Sequence, residues 1–320
     1  MRAGRIAAAA PRREAGRREA ASREAGRRET APREGGPRQA APREAARHAH
    51  AWRRWPLALV LLAAGCGGGD EPPKPTPTPP PQQAPAPRTT AAAVASRSHV
   101  PVLCYHQIRE PTGADSAADR QYIVRPSVLE AQMKALQDAG YTPVTGDAYV
   151  AHMLRGAKLP RKPILLTFDD ASAGQYTRAL PILKRHRFVA TFFVMTVVLG
   201  KEGWLTKGQV KALDRAGMTI GAHTYDHKEV PRYAGEDFKT QLTDPGRELR
   251  RIVGHKVPLF AYPDGAYSAK AIQPMFTAGY RAAFQLADKL DREHPLWSIR
   301  RIIVPELTGK QLLHEIRQDF

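Results

Sequence analysis

The chain has 320 residues, a formal net charge of +18, 42% hydrophobic residues and two cysteines. That length allows one large domain or two ordinary ones, with a sizeable core. The charge invites a nucleic-acid reading, but its distribution argues against one: residues 1–55 hold 15 Arg and 6 Glu, half of the excess.

This first segment is a degenerate repeat (PRREAG, SREAGRRE, APREGG, APREAA) with almost no large apolar side chains. It cannot bury enough surface to offset the entropy of ordering, so it reads as a disordered extension. Another reading is that it lies upstream of the true start, because no second Met occurs before Met133. Arg53, Arg54 and Trp55 then lead into PLALVLLAAGCGGG. Basic residues before a short apolar run that ends in small residues form the pattern of a secretory signal. Residues 56–66 are its apolar region, and LAAGC resembles a bacterial lipobox with Cys66 as the lipidated residue, although Ala63 stands where Leu is more usual. The expected location is therefore outside the cytoplasm, as a membrane lipoprotein facing the extracellular or periplasmic side. Residues 67–97 are Pro-rich and read as an extended, semi-rigid tether. Past Cys66 only Cys104 remains, in an apolar strand-like run, where it reads as a small core residue.

From Ser98 to Phe320 short β-like runs alternate with helical patterns. VPVLCYH, KPILLTFDD, FVATFFVM, MTIGAH, VPLFAYP, RAAFQL and WSIRRIIVP read as strands. The helices between and after them are PSVLEAQMKALQDAG, one ending near Lys184, TKGQVKALDRAG, Lys239–Ile252, Ala269–Thr277 and TGKQLLHEIRQ. This alternation predicts a single α/β domain with a mostly parallel sheet. In such folds, sites collect at the C-terminal ends of strands.

Three strand ends carry polar chemistry: Asp169-Asp170, His223 and His227 in GAHTYDH, and the FAYPDGAY stretch. Burying two carboxylates is costly unless something pairs with them. One carboxylate with two imidazoles is a common catalytic zinc set, and the second carboxylate could take a proton from water beside it. Each piece alone has a plainer explanation, since adjacent aspartates cap helices and H-x-x-x-H is often a solvated pair. A zinc peptidase is disfavoured, because HTYDH lacks Glu directly after its first His.

Taken together, TFDD, H-T-x-x-H and F-x-Y-P-x-G-x-Y, in this order, resemble the first motifs of the polysaccharide deacetylase family (NodB homology domain, carbohydrate esterase family 4). The resemblance spans residues 98–320. It implies a distorted (β/α) barrel and a divalent metal, usually zinc, with cobalt, nickel or iron as alternatives. It also implies hydrolysis of N-acetyl groups on N-acetylglucosamine polymers. Carried over, Asp169 is the general base, Asp170, His223 and His227 hold the metal, and the backbone N–H of Asp264 stabilises the oxyanion.

Three departures from the family pattern matter. Leu312-Leu313-His314 superficially matches the late L-x-H motif that supplies a general acid, but its helical periodicity places His314 on a helix surface. The Y-H-x-I end of VPVLCYHQI instead resembles the poly-β-1,6-N-acetylglucosamine branch, which makes His106 the candidate acid. Ala261 stands where many members have the Arg that pairs with the base, and Arg301 is the expected substitute, a solvated edge-strand arginine being the other reading. Asp170 is followed by Ala-Ser rather than Gly, leaving the tightness of that turn open. Tyr262 and Tyr267 are candidate walls of a sugar groove, with Trp204 a weaker one. The expectation is an anchored N-deacetylase of extracellular or cell-wall glycan, poly-β-1,6-N-acetylglucosamine first and peptidoglycan or a chitin-like oligomer second. A non-catalytic glycan-binding relative is the competing reading.

Overall fold

The computed structural model describes residues 89–286 and 289–320. The expectations for the arm, the signal segment, Cys66 and the tether up to residue 88 lie outside the described residues. Seven parallel strands build the main sheet: β1 (Val102–Tyr105), β2 (Pro163–Phe168), β3 (Thr191–Val194), β4 (Thr219–Ala222), β5 (Leu259–Ala261), β6 (Ala282–Phe284) and β7 (Ile302–Ile303). Their order is β7-β1-β2-β3-β4-β5-β6, with Thr142–Pro143 pairing alongside the start of β2. Leu103 stands opposite Ile302 and Leu166, and Phe260 opposite Ala222 and Ala283. The chain just before β7 also bridges β6: the Ile299 amide donates to Ala283 (3.0 Å) and the Gln285 amide donates to Ile299 (2.8 Å). The sheet therefore curls round until its two edges meet, the expected distorted (β/α) barrel.

The period of two along each strand divides the core. Leu103, Tyr105, Leu166, Phe168, Phe192, Phe260 and Tyr262 face outward into the layer beneath the helices. Val102, Leu165, Phe193, Leu259, Ala261, Phe284 and Ile299 fill a second cluster inside the barrel. Phe193 takes so much of that interior that its neighbour on β4 must be Gly221, since a Cβ there would lie 2.4 Å from the ring.

The expected helices form at Pro126–Asp138, Leu180–Arg185, Lys207–Arg215, Asp244–Val253, Ile272–Ala278 and Gly309–Asp319. Thr206 caps one of them with a reciprocal bond to Gln209, and Thr308 caps another with Gln311. Three helices lie outside the sequence expectation: Ala117–Arg120, Gly146–Arg155 and Ala91–Ala95. Gly146–Arg155 closes the barrel where the strands begin, and a Cβ on Gly146 would meet Leu259 Cδ1 at 2.4 Å and Thr191 Oγ1 at 2.7 Å. Ala91–Ala95 buries Val94 against the same cluster. Thr89 Oγ1 donates to the Leu154 carbonyl (2.6 Å) and Arg97 Nη1 to the Met153 carbonyl (2.8 Å). The boundary at Ser98 is therefore corrected: residues 89–97 belong to the folded unit, because a buried valine and two long-range hydrogen bonds fasten them to it.

Candidate active site

Inward parity at the C-terminal ends of β1, β2 and β4 brings His106, Asp169 and His223 together over the barrel mouth. Asp169 is 1% exposed. Arg301, 3% exposed, reaches it from the strand on the far side of β1. Arg301 Nη1 donates to Oδ1 and Nη2 to Oδ2, each at 2.7 Å, a fork that fits a carboxylate closely. Nη1 also donates to Thr167 Oγ1 (3.1 Å), and the guanidinium lies 5.4 Å from the Phe193 ring centre. The solvated edge-strand reading of Arg301 is therefore corrected, because its alternation with Ile299 turns it into the barrel. Burial alone would push the Asp169 carboxyl up; the charges of Arg301 and His223 and the hydrogen bonds from Arg301 outweigh it and hold Asp169 well below the usual carboxylate range.

Asp170 turns the other way. Its φ is +77° and that of Ala171 is +74°, left-handed backbone at two residues with side chains, at a cost of about 1–2 kcal/mol each. The turn is held by Leu205 N–H donating to the Ala171 carbonyl and Ala173 N–H to the Gly203 carbonyl, both 2.9 Å. Strain of this kind persists where the surroundings over-determine it, commonly at functional sites. It leaves Asp170 Oδ1 at 3.3 Å from His223 Nε2 and 3.5 Å from His227 Nε2.

The tautomer of His223 sharpens what this contact means. Its Nδ1 lies 2.8 Å from the Ala261 carbonyl, an acceptor only, so Nδ1 carries a proton and, in the neutral ring that can bind a cation, Nε2 presents a lone pair. A lone pair then faces a carboxylate oxygen that is buried and has no hydrogen-bond partner among the described residues. Burial would depress the His223 pKa, yet Asp169 and Asp170 together raise it, so the pocket favours positive charge at that point. Arg301 neutralises Asp169 alone, and the half-buried Asp170 is the carboxylate left without a guanidinium. A divalent cation held by Asp170, His223 and His227 fits this donor set, whose ligand atoms lie within 4.8 Å of one another.

His106 is 8% exposed, with its ring edge-on to Tyr122 at 4.8 Å between centres. Its Nδ1 has no partner among the described residues. Burial lowers its pKa, with Asp169 and Asp170 acting in the opposite sense. Cys104, two residues earlier on the same face, lies with Sγ 3.5 Å from Asp169 Oδ2 and donates to it. Cys104 is fully buried, as expected for a core residue, but the core it belongs to is the floor of the site. Sequence reasoning missed this contact and also missed Tyr122, which a 16-residue excursion from His106 brings back by pairing Gln107–Ile108 with Ile123–Val124.

The FAYPDGAY loop divides its residues. Asp264 sits at the tip with φ +54°, its carboxylate exposed and 4.0 Å from His227 Nδ1. Tyr262 does not line a groove, which corrects that expectation: Ala261 points inward, so Tyr262 points outward, fully buried, with its hydroxyl donating to the Trp297 carbonyl (2.9 Å). Tyr267 is half-buried and donates to Asp291 Oδ2 (2.7 Å). Trp204 is half-buried against the outer core and bridges Ser172. His314 is exposed on the last helix, whose buried Leu312 and Ile316 fasten it outside the barrel.

Comparison with known proteins agrees with this architecture. The polysaccharide deacetylase family model matches residues 156–283. The chain is 30% identical over 143 residues to a peptidoglycan-N-acetylglucosamine deacetylase of Bacillus cereus, covering 44% of this chain and 50% of that protein. It is 27% identical over 235 residues to the poly-beta-1,6-N-acetyl-D-glucosamine N-deacetylase of Escherichia coli K12, covering 59% and 35%. The chain thus spans half or less of the length of these two relatives. The solved structure of IcaB from Ammonifex degensii superposes with a TM-score of 0.59 at 25% identity, covering 68% of this chain and 97% of that one. With the curled parallel sheet and the motif residues gathered at its mouth, these matches show a polysaccharide deacetylase domain over residues 156–283, within a fold like that of the IcaB structure.

Proposed function

We propose that this protein is a divalent-metal-dependent N-deacetylase acting on an N-acetylglucosamine-containing polysaccharide outside the cell, with poly-β-1,6-N-acetylglucosamine as the favoured substrate. The observation that carries the reading is the Asp170 oxygen, without a hydrogen-bond partner among the described residues, facing two imidazole nitrogens directly beside an aspartate locked by Arg301. Asp170, His223 and His227 would hold the metal, zinc being the favoured one. When bound, such an ion polarises an amide carbonyl and acidifies water.

The remaining chemistry belongs to the chain. Asp169, kept ionised by Arg301, accepts a proton from the attacking water. Oδ2 already takes two donors, Arg301 and Cys104, whereas Oδ1 takes one, so Oδ1 is the oxygen with capacity to accept. The Asp264 amide is the proposed donor to the developing oxyanion. His106, on the neighbouring strand end, would hand a proton to the leaving amine. The Y-H-x-I sequence around His106, Ala261 in place of the usual Arg, and the Escherichia coli relative support the poly-β-1,6 assignment.

We assign anchoring to Cys66, on the strength of the LAAGC pattern. Thr89, where the described chain begins, is fastened to Leu154 at the end of the barrel where strands start. The test is release of acetate and free amine from β-1,6- and β-1,4-linked N-acetylglucosamine oligomers by metal-stripped and zinc-reloaded protein. Zinc-dependent release, reduced about a hundredfold or more by Asp169→Asn, is the expected result, with the β-1,6 oligomer preferred. Zinc binding without release from either oligomer would favour the glycan-binding reading.

A further inference from the structure

Two helices of this domain open with a rare wide turn in which an amide bonds the carbonyl five residues back: Leu180 N–H to Gln175, and Asp244 N–H to Lys239. Such π-turns insert one extra residue and occur disproportionately at functional sites. Each of them presents a buried glutamine to the site. Gln175 is fully buried, and its Nε2 donates to the carbonyl of His106 (3.0 Å) and to the carbonyl of Asp169. Gln241 is 3% exposed, and its Oε1 accepts from the amides of Tyr225 (3.1 Å) and Asp226 (3.4 Å), in the loop between His223 and His227.

We propose that Gln175 and Gln241 are paired positioning residues: Gln175 fixes the spacing of His106 and Asp169, and Gln241 fixes the loop that carries His227 toward Asp170 and His223. The inference rests on the roles assigned above to those residues. The groups the glutamines hold lie just past strands, where no ladder partner satisfies them, and an unpaired buried backbone group is costly. The loop held by Gln241 contains Thr224 at φ +65° and His227 at φ +69°, backbone that survives only when neighbours over-determine it. Gln175 leaves its own Oε1 buried and without a partner among the described residues, so its position is not explained by its own satisfaction. The two side chains act with opposite polarity: Gln175 works as a donor to two carbonyls and Gln241 as an acceptor from two amides.

That polarity makes the proposal testable by one substitution at two places. Glutamate keeps the acceptor and loses the amide donor, so Gln241→Glu should preserve its grip and Gln175→Glu should break it. Zinc affinity of the metal-stripped full chain is read by calorimetry, steady-state kinetics with the released-amine assay, and folding by circular dichroism and thermal melting. Gln241→Met is expected to weaken zinc binding about 10- to 100-fold, the usual effect of losing a group that orients a ligand, with Gln241→Glu within a few-fold of wild type. Gln175→Met and Gln175→Glu should both lower kcat at least tenfold with KM and zinc affinity nearly unchanged. Equal loss of zinc affinity in Gln241→Met and Gln241→Glu, or wild-type kinetics in folded Gln175 variants, would overturn the proposal while leaving the deacetylase reading intact. A wild-type chain that neither binds zinc nor releases acetate would instead sink the functional reading and the Gln241 assignment with it.

Discussion

Replacing Arg301 with Met would leave the Asp169 carboxylate buried beside Cys104 and Thr167 without its guanidinium. Breaking a buried ion pair from one side strands the other charge and costs about 3–5 kcal/mol. Arg301→Met should therefore lower the unfolding free energy measured by urea titration by that amount, and Asp169→Asn added to it should recover part of the loss. A single variant within 1 kcal/mol of wild type would show that the fork bears little on stability. At this scale the sequence was informative wherever a residue type has few alternatives. Two aspartates ending an apolar strand and two histidines ending another pointed to a cation, and the strand parity of 299 and 301 puts Arg301, not Arg300, inside. Arg300 instead stacks its guanidinium 5.5 Å from the Phe320 ring and donates to the Asp319 carbonyl. The same parity, applied to Ala261, would have sent Tyr262 outward. An aromatic beside a motif suggests a binding role more readily than a packing one. The Cys104–Asp169 contact had no signal in the sequence, since a buried thiol in a strand looks the same whether its neighbour is a leucine or a carboxylate.

Between residue and molecule, the strands act as rulers that deliver His223 and Asp169 to one height. Gly221 is the place to test this on β4. A methyl there would lie 2.4 Å from Phe193 Cδ1 and 3.1 Å from the Leu259 carbonyl oxygen, with β3 on one side and β5 on the other. Gly221→Ala should destabilise by about 1–3 kcal/mol, as overpacking does. Because His223 follows two residues later, zinc affinity should fall with it, whereas Gly217→Ala, at a loop position with φ +84° and nothing within 4 Å, should cost about 1–2 kcal/mol of backbone strain and leave zinc affinity unchanged. Denaturant titration paired with calorimetry separates the two effects. The elements themselves were largely legible: strong apolar runs of four to six residues alternating with 3.6-periodic stretches leave few options. What stayed hidden was the helix Gly146–Arg155, whose Thr-Gly-Asp opening reads as a turn. Its glycine is needed for contact with the barrel floor, a tertiary demand that no local pattern records. The two π-turns were hidden for a similar reason, because Gln175 and Gln241 look like ordinary polar positions on otherwise periodic helices.

Over the whole domain, the first helix fastens at one end of the barrel and the candidate site lies at the other. Ala91–Ala95, Thr89 and Arg97 fasten to the helix that closes the floor, while His106, Asp169, Asp170 and His223 stand at the mouth. A protein beginning at Ser98 would lose the buried Val94, the Arg97 bond to Met153 and the Thr89 bond to Leu154. Exposing the surface beneath one valine costs about 2 kcal/mol, and in a domain of this size each kcal/mol moves the melting temperature by roughly 2–4 °C. The truncated protein should thus melt about 4–8 °C below one beginning at Thr89. Its zinc affinity and kcat, measured well below either melting temperature, should match, because the lost contacts lie at the floor and the ligands at the mouth. Equal melting temperatures would mean that the first helix rests on the barrel without stabilising it. A drop in zinc affinity would mean that floor and mouth are mechanically coupled, and the interior stack that runs from Val102 past Phe193 to Arg301 is a packed path on which that coupling could travel.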